Sequence, residues 1–316
     1  MRIVFMGTPK AAVPSLERIL SDGHEIAAVY SQPDRPSGRG NRIAFSPVKE
    51  FALKHDLPVF QPVKVKTQDA LAEFQSHKAD TAVVVAYGRI LPQTFLEAYP
   101  NGAINVHFSL LPKYRGAAPV NWAIVNGETR TGVTTIQMDA GLDTGDILLK
   151  RDTDIGPGET SIELMDRLSF IGADLISETL AMYNELSGQP QNHEEATLAP
   201  MMKREDGLID WEMSGGEVAN RIRGFQPFPG SFSAYKEQKI SIWKAAEVSS
   251  LEFEISHIRK CGEIIEAKGD NLFVQCGTET VLRIEEVQPE GKRRMSARDF
   301  VNGVKPIPGE SFGSPL

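Results

Sequence analysis

Three consecutive valines lie in the stretch Ala79-Asp80-Thr81-Ala82-Val83-Val84-Val85-Ala86. The run is too apolar for a surface element, so it predicts a strand that is buried on both faces. Further strands are predicted at residues 1–8 and Glu25–Tyr30, with an amphipathic helix between them from Ala11 to Leu20. Strands that alternate with helices at this spacing predict an α/β domain with a mostly parallel, Rossmann-like sheet.

The predicted α/β domain lacks the usual nucleotide-binding signatures. The loop after the first strand offers Gly7 alone, without the second and third glycines of the dinucleotide fingerprint. The chain also has no G-x-x-x-x-G-K-[ST] loop and no Cys/His spacing that would build a zinc site. A dinucleotide enzyme of the common type is therefore excluded, and no metal is expected.

The composition of the chain is that of an ordinary globular protein. Its 316 residues are 41% hydrophobic and 24% charged, and they are enough for two domains. No apolar run reaches membrane-spanning length, and the N terminus does not resemble a signal peptide. With only Cys261 and Cys276, these features predict a cytoplasmic protein with reduced thiols and no membrane partner.

Two domains are predicted on either side of a segment without periodicity. The first covers residues 1–187 and ends in a long amphipathic helix from Ser161 to Ser187. Residues 188–206 are interpreted as a linker. Residues 207–316 contain short strands at regular spacing, which predict a small, OB-like β-barrel.

The net charge of −8 is awkward for a nucleic-acid partner. Residues 207–316 hold 14 basic and 16 acidic side chains, so most of the acidic excess lies N-terminal to them. An RNA partner would therefore have to bind local basic patches. Two such patches are Lys203-Arg204 and Lys292-Arg293-Arg294.

A group of polar residues suited to acyl transfer follows the predicted sheet. Asn105 and His107 stand two residues apart at a strand end, so both side chains face one side while Val106 and Phe108 pack behind. Asp143, in a Gly-rich loop between two later strands, is in a position to orient the imidazole. An amide donor, an imidazole and a carboxylate, without a cysteine or lysine nucleophile beside them, suit direct acyl transfer.

Each of these residues taken alone has an ordinary structural explanation. A single His or Asn near a strand end is commonly a surface or capping residue, and Asp139, Asp143 and Asp146 form an alternative carboxylate set for a cation. The joint pattern is more specific. It consists of Asn-x-His-x-Ser-Leu-Leu-Pro at 105–112, Tyr-Arg-Gly-x-x-Pro at 114–119 and Met-Asp-x-Gly-Leu-Asp-x-Gly-Asp at 138–146.

This joint pattern resembles the folate-dependent formyltransferases. The resemblance implies transfer of the formyl group of 10-formyltetrahydrofolate to an amine, with Asn105, His107 and Asp143 in the catalytic roles. It also implies two segments that line the folate site. Their residues are Ser109, Leu110, Leu111 and Pro112 in the first, and Tyr87 and Gly88 in the second.

Two features bear on the formyl acceptor. A loop from Gln32 to Pro47 is rich in Gly, Pro and Arg, which suits a segment that orders on RNA, and the chain continues far beyond the core. By resemblance, both features imply initiator methionyl-tRNA as the acceptor. A monomer is expected. The implied RNA contacts are Arg35, Arg39, Arg42, Lys203, Arg204, Lys292, Arg293 and Arg294. The alternatives are a sugar-nucleotide formyltransferase and a noncatalytic RNA-binding protein.

Overall fold

The computed structural model describes residues 1–37, 42–248 and 260–313, which group into two compact units. Unit 1 consists of Met1–Pro119, Arg130–Asp154 and Leu164–Pro200. Unit 2 consists of Val120–Thr129, Ile155–Glu163 and the described residues from Met201 onward. Within those described ranges, no helix is long and apolar enough to cross a membrane.

The strands and helices are numbered here in chain order. Up to Pro200 they are β1 (Arg2–Gly7), α1 (Val13–Ser21), β2 (Glu25–Tyr30), β3 (Arg35–Ser37), β4 (Arg42–Ala44), α2 (Pro47–Lys54), β5 (Val59–Phe60), α3 (Gln68–Ser76), β6 (Thr81–Val85), α4 (Gln93–Leu96), β7 (Ala103–His107), β8 (Arg115–Gly116), α5 (Pro119–Val125), β9 (Arg130–Gln137), β10 (Ile147–Asp154), α6 (Ser161–Ala181) and β11 (Leu198–Ala199). The later elements are α7 (Gly215–Gly224), β12 (Ser231–Tyr235), β13 (Gln238–Val248), β14 (Ile264–Lys268), β15 (Asn271–Gln275), β16 (Val281–Pro289), β17 (Met295–Ser296) and α8 (Ala297–Val304).

Unit 1 is built on a seven-stranded sheet in the order β10-β9-β7-β6-β1-β2-β5. The five strands from β7 to β5 pair in parallel, and β9 and β10 add antiparallel pairs at one edge. All five residues of β6 are buried, as the run of three valines predicted. The predicted mostly parallel α/β sheet is therefore confirmed.

The face of β7 that carries Val106 packs on α6. A side chain at Gly172 of this helix would meet Val106 at 3.0 Å and Phe108 at 3.3 Å, so the glycine allows a close approach. The helix ends at Ala181, six residues before the predicted end at Ser187. Beyond Ala181 the chain forms a turn in which the Met182 carbonyl accepts from the amides of both Glu185 and Leu186.

Unit 2 contains an antiparallel sheet in the order β12-β13-β16-β15-β14, with β17 paired to β16. The C-terminal segment joins its two ends, since Gly313 bridges Ala234 in β12 and Ser311 bridges Glu263, next to β14. This closure confirms the small barrel. Helix α8, which the sequence patterns did not predict, contributes Phe300 to the barrel core.

Two short segments that precede Leu164 in sequence belong to unit 2, where they form hydrogen bonds with later residues. The Asn121 side chain donates to the Gly224 carbonyl at 2.7 Å. The Arg223 guanidinium donates to the carbonyls of Gly156 and Glu159, at 3.1 and 3.0 Å. Sequence position alone therefore does not separate the two units.

The predicted loop from Gln32 to Pro47 contains an antiparallel hairpin of β3 and β4, in which Arg35 pairs with Ala44 and Ser37 with Arg42. Only the backbone of Arg35 and Arg42 is described. Arg39 lies in residues 38–41, outside the described residues. The proposed RNA contacts of this loop therefore stay a prediction.

The segment interpreted as a linker, residues 188–206, also has regular structure. Its Gln189 backbone exchanges two hydrogen bonds with Ile147 at the start of β10, at 2.8 and 2.9 Å. Strand β11 then pairs in parallel with β8. These partners are distant in sequence, which is why local periodicity did not predict them.

Candidate active site

Asn105 and His107 lie at the carboxyl end of β7, where the neighbouring parallel strands also end. Asn105 pairs with Val84 of β6, and His107 pairs with Thr134 of β9. Since Val106 between them faces α6, strand alternation turns Asn105 and His107 toward the opposite face. The carboxyl ends of strands in open α/β sheets are where ligands bind, so this position suits an active site.

The His107 ring is held at both nitrogens. Its Nε2 lies 2.9 Å from the Tyr114 carbonyl oxygen, and because that oxygen only accepts, Nε2 carries a hydrogen and donates it. The other nitrogen, Nδ1, lies 3.6 Å from Asp143 Oδ2. That distance exceeds a hydrogen bond, so the carboxylate acts on the ring by charge. Nδ1 is therefore the ring nitrogen that the main chain does not engage, and it lies beside the Asp143 carboxylate.

Asp143 is fixed by its backbone and by its carboxylate. Its φ of 52° is in the left-handed region, which is unusual for a residue with a side chain. Its Oδ2 accepts a hydrogen bond of 2.8 Å from the Gly116 amide, and its carbonyl accepts one of 2.8 Å from the Gln191 side chain. The structure thus brings His107 and Asp143 together, as the sequence patterns suggested.

The rest of the Asp143 loop is held by its own side chains. The Asp139 carboxylate accepts from the Gly141 amide at 3.1 Å and from the Thr144 hydroxyl at 2.7 Å. A Cβ atom on Gly145 would lie 1.8 Å from the Gln137 carbonyl oxygen, so only glycine fits there. The described residues contain no group of three or more His, Cys, Asp or Glu side chains placed to hold a metal ion, which gives the cation alternative no support.

Asn105 has an amide that is not engaged elsewhere. The side chain is only 8% exposed, yet no hydrogen bond joins it to another residue in the described part of the chain. Its amide atoms are not among the fully enclosed side-chain polar atoms that lack a partner in the described residues, so the amide reaches solvent and is open to a ligand that accepts from it. Asn105 is thus a donor available on the same face as His107.

The first predicted folate segment presents mainly its backbone. Ser109 is fully buried, and its hydroxyl donates to the Lys113 carbonyl at 2.7 Å. Thr134 ties the segment to β9, since its hydroxyl donates to the Ser109 carbonyl and accepts from the Leu111 amide. The side chains of Ser109 and Leu111 therefore serve the turn and the core. The partly exposed members of the segment are Leu110 and Pro112.

The second predicted folate segment also exposes backbone. Ala86 and Gly88 have φ values of 47° and 81° and are exposed, whereas the Tyr87 side chain between them is buried. The Tyr87 carbonyl accepts from the Thr8 hydroxyl and the Gln32 side chain, each at 3.1 Å. Burial raises the pKa of the Tyr87 phenol, which keeps it neutral. The backbone turn at Ala86–Gly88 is therefore fixed in position and exposed, so a flat ring can lie against it.

In unit 2, the cluster Lys292-Arg293-Arg294 lies in the connection between β16 and β17, and all three side chains are exposed. Lys292 and Arg293 line an open cavity of about 450 Å³. Arg294 differs, because it forms an ion pair with Glu286 and its guanidinium lies 5.1 Å from the Trp243 ring centroid. The cluster therefore contributes less free positive charge than its sequence implies.

The other basic pair in unit 2, Lys203 and Arg204, is also exposed. Arg204 lines a second cavity of about 370 Å³ with Lys239 and the exposed Phe228. Two cations beside an exposed aromatic ring can contact phosphate and base together. Lys239 and Phe228 were not among the residues predicted from the sequence.

The sequence patterns also missed two residues beside His107 and Asp143. Arg115 is part of the Tyr-Arg-Gly motif but had no assigned role, and its guanidinium contacts the buried Gln191 side chain. Gln191 lies in the stretch interpreted as a linker, where no periodicity or motif singled it out. Only the tertiary contacts identify it.

Comparisons with known proteins agree with these observations. The family model described as Formyl transferase matches residues 1–180, and the model described as Formyl transferase, C-terminal domain, matches residues 201–305. The chain is 48% identical to the methionyl-tRNA formyltransferase of Alkaliphilus oremlandii, covering 96% of each chain. It is also 48% identical to that of Koribacter versatilis, covering 99% of each chain.

A solved structure shows the same fold. It is an N-formyltransferase from Helicobacter canadensis in complex with folinic acid and dTDP-3-aminofucose. The TM-score is 0.67 with 20% identity, and the alignment covers 89% of this chain and 98% of the other. At that identity the likeness concerns the architecture alone.

Proposed function

This chain belongs to the formyl transferase family, and on that basis we propose that it transfers the formyl group of 10-formyltetrahydrofolate to the α-amino group of methionine on initiator methionyl-tRNA. The resemblance drawn from residues 105–119 and 138–146 is thereby confirmed at the level of the family. The observation that carries the chemistry is the free Asn105 amide beside the His107–Asp143 pair. The acceptor is supported by near-full-length identity to methionyl-tRNA formyltransferases.

The proposed reaction is a direct displacement at the formyl carbon. The methionine nitrogen forms a bond to that carbon, and the bond from the carbon to the folate nitrogen breaks. The amine loses a proton and the folate nitrogen gains one, so no proton is lost overall. Negative charge develops on the formyl oxygen before the folate nitrogen leaves, and stabilising that charge is the main task of the site.

Asn105 and His107 have different roles in the proposed reaction. The Asn105 amide donates to the formyl oxygen, and one donor of this kind contributes about 2.7–4 kcal/mol to transition-state stability. His107 exchanges the proton at Nδ1, because its Nε2 is engaged by the Tyr114 carbonyl. Asp143, 3.6 Å away, stabilises the imidazolium that forms.

The formyl donor would lie against the two backbone segments beside this site. A formyltransferase uses a folate-type co-substrate, and we propose 10-formyltetrahydrofolate because its formyl group is attached to an aromatic amine, a better leaving group than an alkyl amine. The exposed backbone of Ala86–Gly88 and the partly exposed Leu110 and Pro112 fit a flat pterin. Ser109 and Leu111 would contribute through backbone position only.

The RNA partner would contact basic residues outside the catalytic centre. In unit 2 we propose Arg204, Lys292 and Arg293 as the strongest phosphate contacts, with Lys203 beside them and Arg294 contributing less. Arg35, Arg39 and Arg42 stay the predicted contacts of the N-terminal loop. We further propose that the protein acts in the cytoplasm as a monomer, where charged initiator tRNA is available.

The test is transfer of labelled formyl from 10-formyltetrahydrofolate to three acceptors in parallel: initiator methionyl-tRNA, elongator methionyl-tRNA and a UDP-amino sugar. The proposal expects labelled formylmethionine on the initiator only, and an Asn105→Ala variant serves as the inactive control. Transfer only to the sugar would replace the acceptor and keep the chemistry. RNA binding without any transfer would favour the noncatalytic alternative.

A further inference from the structure

We propose that residues 189–199, here called the strap, act with Arg115 to position the His107–Asp143 pair, and that Gln191 is the main positioning residue. The inference deepens the proposed function, because it concerns the same site and rests on the same catalytic pair. The strap was interpreted from the sequence as a linker. In unit 1 it instead makes specific hydrogen bonds to both segments that hold the pair.

The first contact fixes the Asp143 loop. The Gln191 side chain is 6% exposed, and its Nε2 donates to the carbonyls of Asp143 and Gly145, each at 2.8 Å. Both amide hydrogens are thus used on one loop, on either side of Thr144. Since Asp143 has a left-handed backbone, a bond to its own carbonyl helps to hold this conformation and so the direction of its carboxylate.

The second contact fixes Gln191 itself. Arg115 is buried, and its Nε and Nη2 both donate to Gln191 Oε1, at 3.0 and 2.6 Å. Its Nη1 lies 3.2 Å from His193 Nδ1, in the strap. Because a guanidinium can only donate, it sets the amide oxygen of Gln191 toward Arg115 and the amide nitrogen toward the Asp143 loop.

The third contact fixes the segment behind the histidine. The Tyr114 amide donates to Thr197 Oγ1 and the Arg115 amide donates to the Thr197 carbonyl, both at 2.9 Å. Strand β11 then pairs with β8 at Arg115 and Gly116. This segment bonds both catalytic groups, through the Tyr114 carbonyl to His107 and through the Gly116 amide to Asp143.

The strap therefore holds each member of the pair by a separate route. Gln191 acts on Asp143 through its loop, and Thr197 acts on His107 through Tyr114. Both strap residues bond to the segments that hold the pair, so in this proposal their effect on turnover passes through the geometry of His107 and Asp143. A displacement of about 1 Å at a catalytic group can lower a rate by about 100-fold, so the hydrogen bonds made by the strap are important for the rate.

The test compares Gln191→Leu with Glu194→Gln, an exposed strap position whose side chain has no bond to another described residue. Gln191→Leu is expected to lower kcat by about 10- to 100-fold with little change in KM for the folate. Glu194→Gln is expected to retain full activity. If Gln191→Leu keeps wild-type kcat, the proposal is wrong.

A double-mutant cycle separates positioning from general damage. In an Asp143→Ala background, Gln191→Leu is expected to change kcat by less than about threefold, because the group that it positions is already gone. An equal loss in both backgrounds would overturn the proposal. Should Gln191→Leu fold poorly, Thr197→Val in the exposed part of the strap is expected to give a similar loss through His107.

A second readout does not depend on activity. The ring nitrogen and proton resonances of His107 are expected to shift in Gln191→Leu and to stay in place in Glu194→Gln. Unchanged His107 resonances in Gln191→Leu would refute the positioning role even if the wild-type protein formylates methionyl-tRNA. Conversely, a wild-type protein that transfers no formyl would refute the proposed function while the resonance comparison still decides the role of the strap.

Discussion

Replacing Asp143 by asparagine is expected to lower turnover strongly while the loop keeps its shape. Asparagine retains an oxygen that can accept the 2.8 Å bond from the Gly116 amide, and the Gln191 bond goes to the main chain. What is removed is the negative charge beside His107. The substitution therefore isolates the electrostatic contribution of Asp143 from its structural one.

The size of the effect follows from the distance between the two groups. Unit charges 3.6 Å apart interact by about 4.6 kcal/mol at an effective dielectric near 20. If about half of the imidazolium charge has developed in the transition state, the loss is about 2.3 kcal/mol, or roughly 50-fold in rate. Full development would give a loss on the order of 2,000-fold.

The assay is single-turnover transfer of labelled formyl to methionyl-tRNA, which reports the chemical step. Asp69→Asn, an exposed residue in the first turn of α3, makes the same change in net charge far along the chain and is expected to leave the rate unchanged. A loss below about threefold for Asp143→Asn, or a change in KM alone, would contradict the electrostatic argument, since the calculated range begins at roughly 50-fold.

Three further predictions follow from particular side chains. Asn105→Ala is expected to lower kcat by about 100- to 1,000-fold without changing the unfolding temperature, and a purely structural role would show the reverse. The double variant Lys292→Ala/Arg293→Ala is expected to reduce the slope of log tRNA affinity against log salt concentration by about 1–2. Arg294→Ala should change this slope less, because Arg294 is already paired with Glu286. Burial raises the pKa of Cys276 to about 12, so iodoacetamide at pH 8 should label this thiol only after unfolding. Because the unfolded thiol ionises at a lower pH than the folded one, the free energy of unfolding should also fall as pH rises from about 8.5 toward 12, which titration of urea midpoints would detect.

The sequence predicted the parts of the site that depend on local regularity. Strand alternation placed Asn105 and His107 on one face, and Gly172 of α6 now explains why Val106 can pack so closely on the other. The glycine-rich loop of Asp143 was also recognisable. A Cβ atom at Gly145 would overlap the Gln137 carbonyl. The glycine in the sequence therefore marks a position where the loop backbone lies directly against a neighbouring strand.

The strap could not be predicted in this way. Its contacts join residues far apart in sequence, such as Thr197 with Tyr114, 83 positions away. Such bonds are formed by single polar side chains and leave no periodic pattern, so the segment resembled a linker. The hairpin of β3 and β4 was missed for a different reason, since each strand is only three residues long, too short for a periodic pattern.

Substitutions on the two faces of β7 should therefore have different effects, one mainly on stability and the other mainly on turnover. On the α6 face, Val106 and Gly172 are in close apolar contact, so substitutions there should lower the free energy of unfolding before they change the chemistry. On the opposite face, Asn105 has no partner and His107 is held by main-chain and loop contacts that the strap secures. Substitutions in the strap should alter turnover, because a displacement of about 1 Å is a large error for a catalytic pair. Gln191→Leu should also lower the free energy of unfolding, because it leaves the buried Arg115 guanidinium without its acceptor.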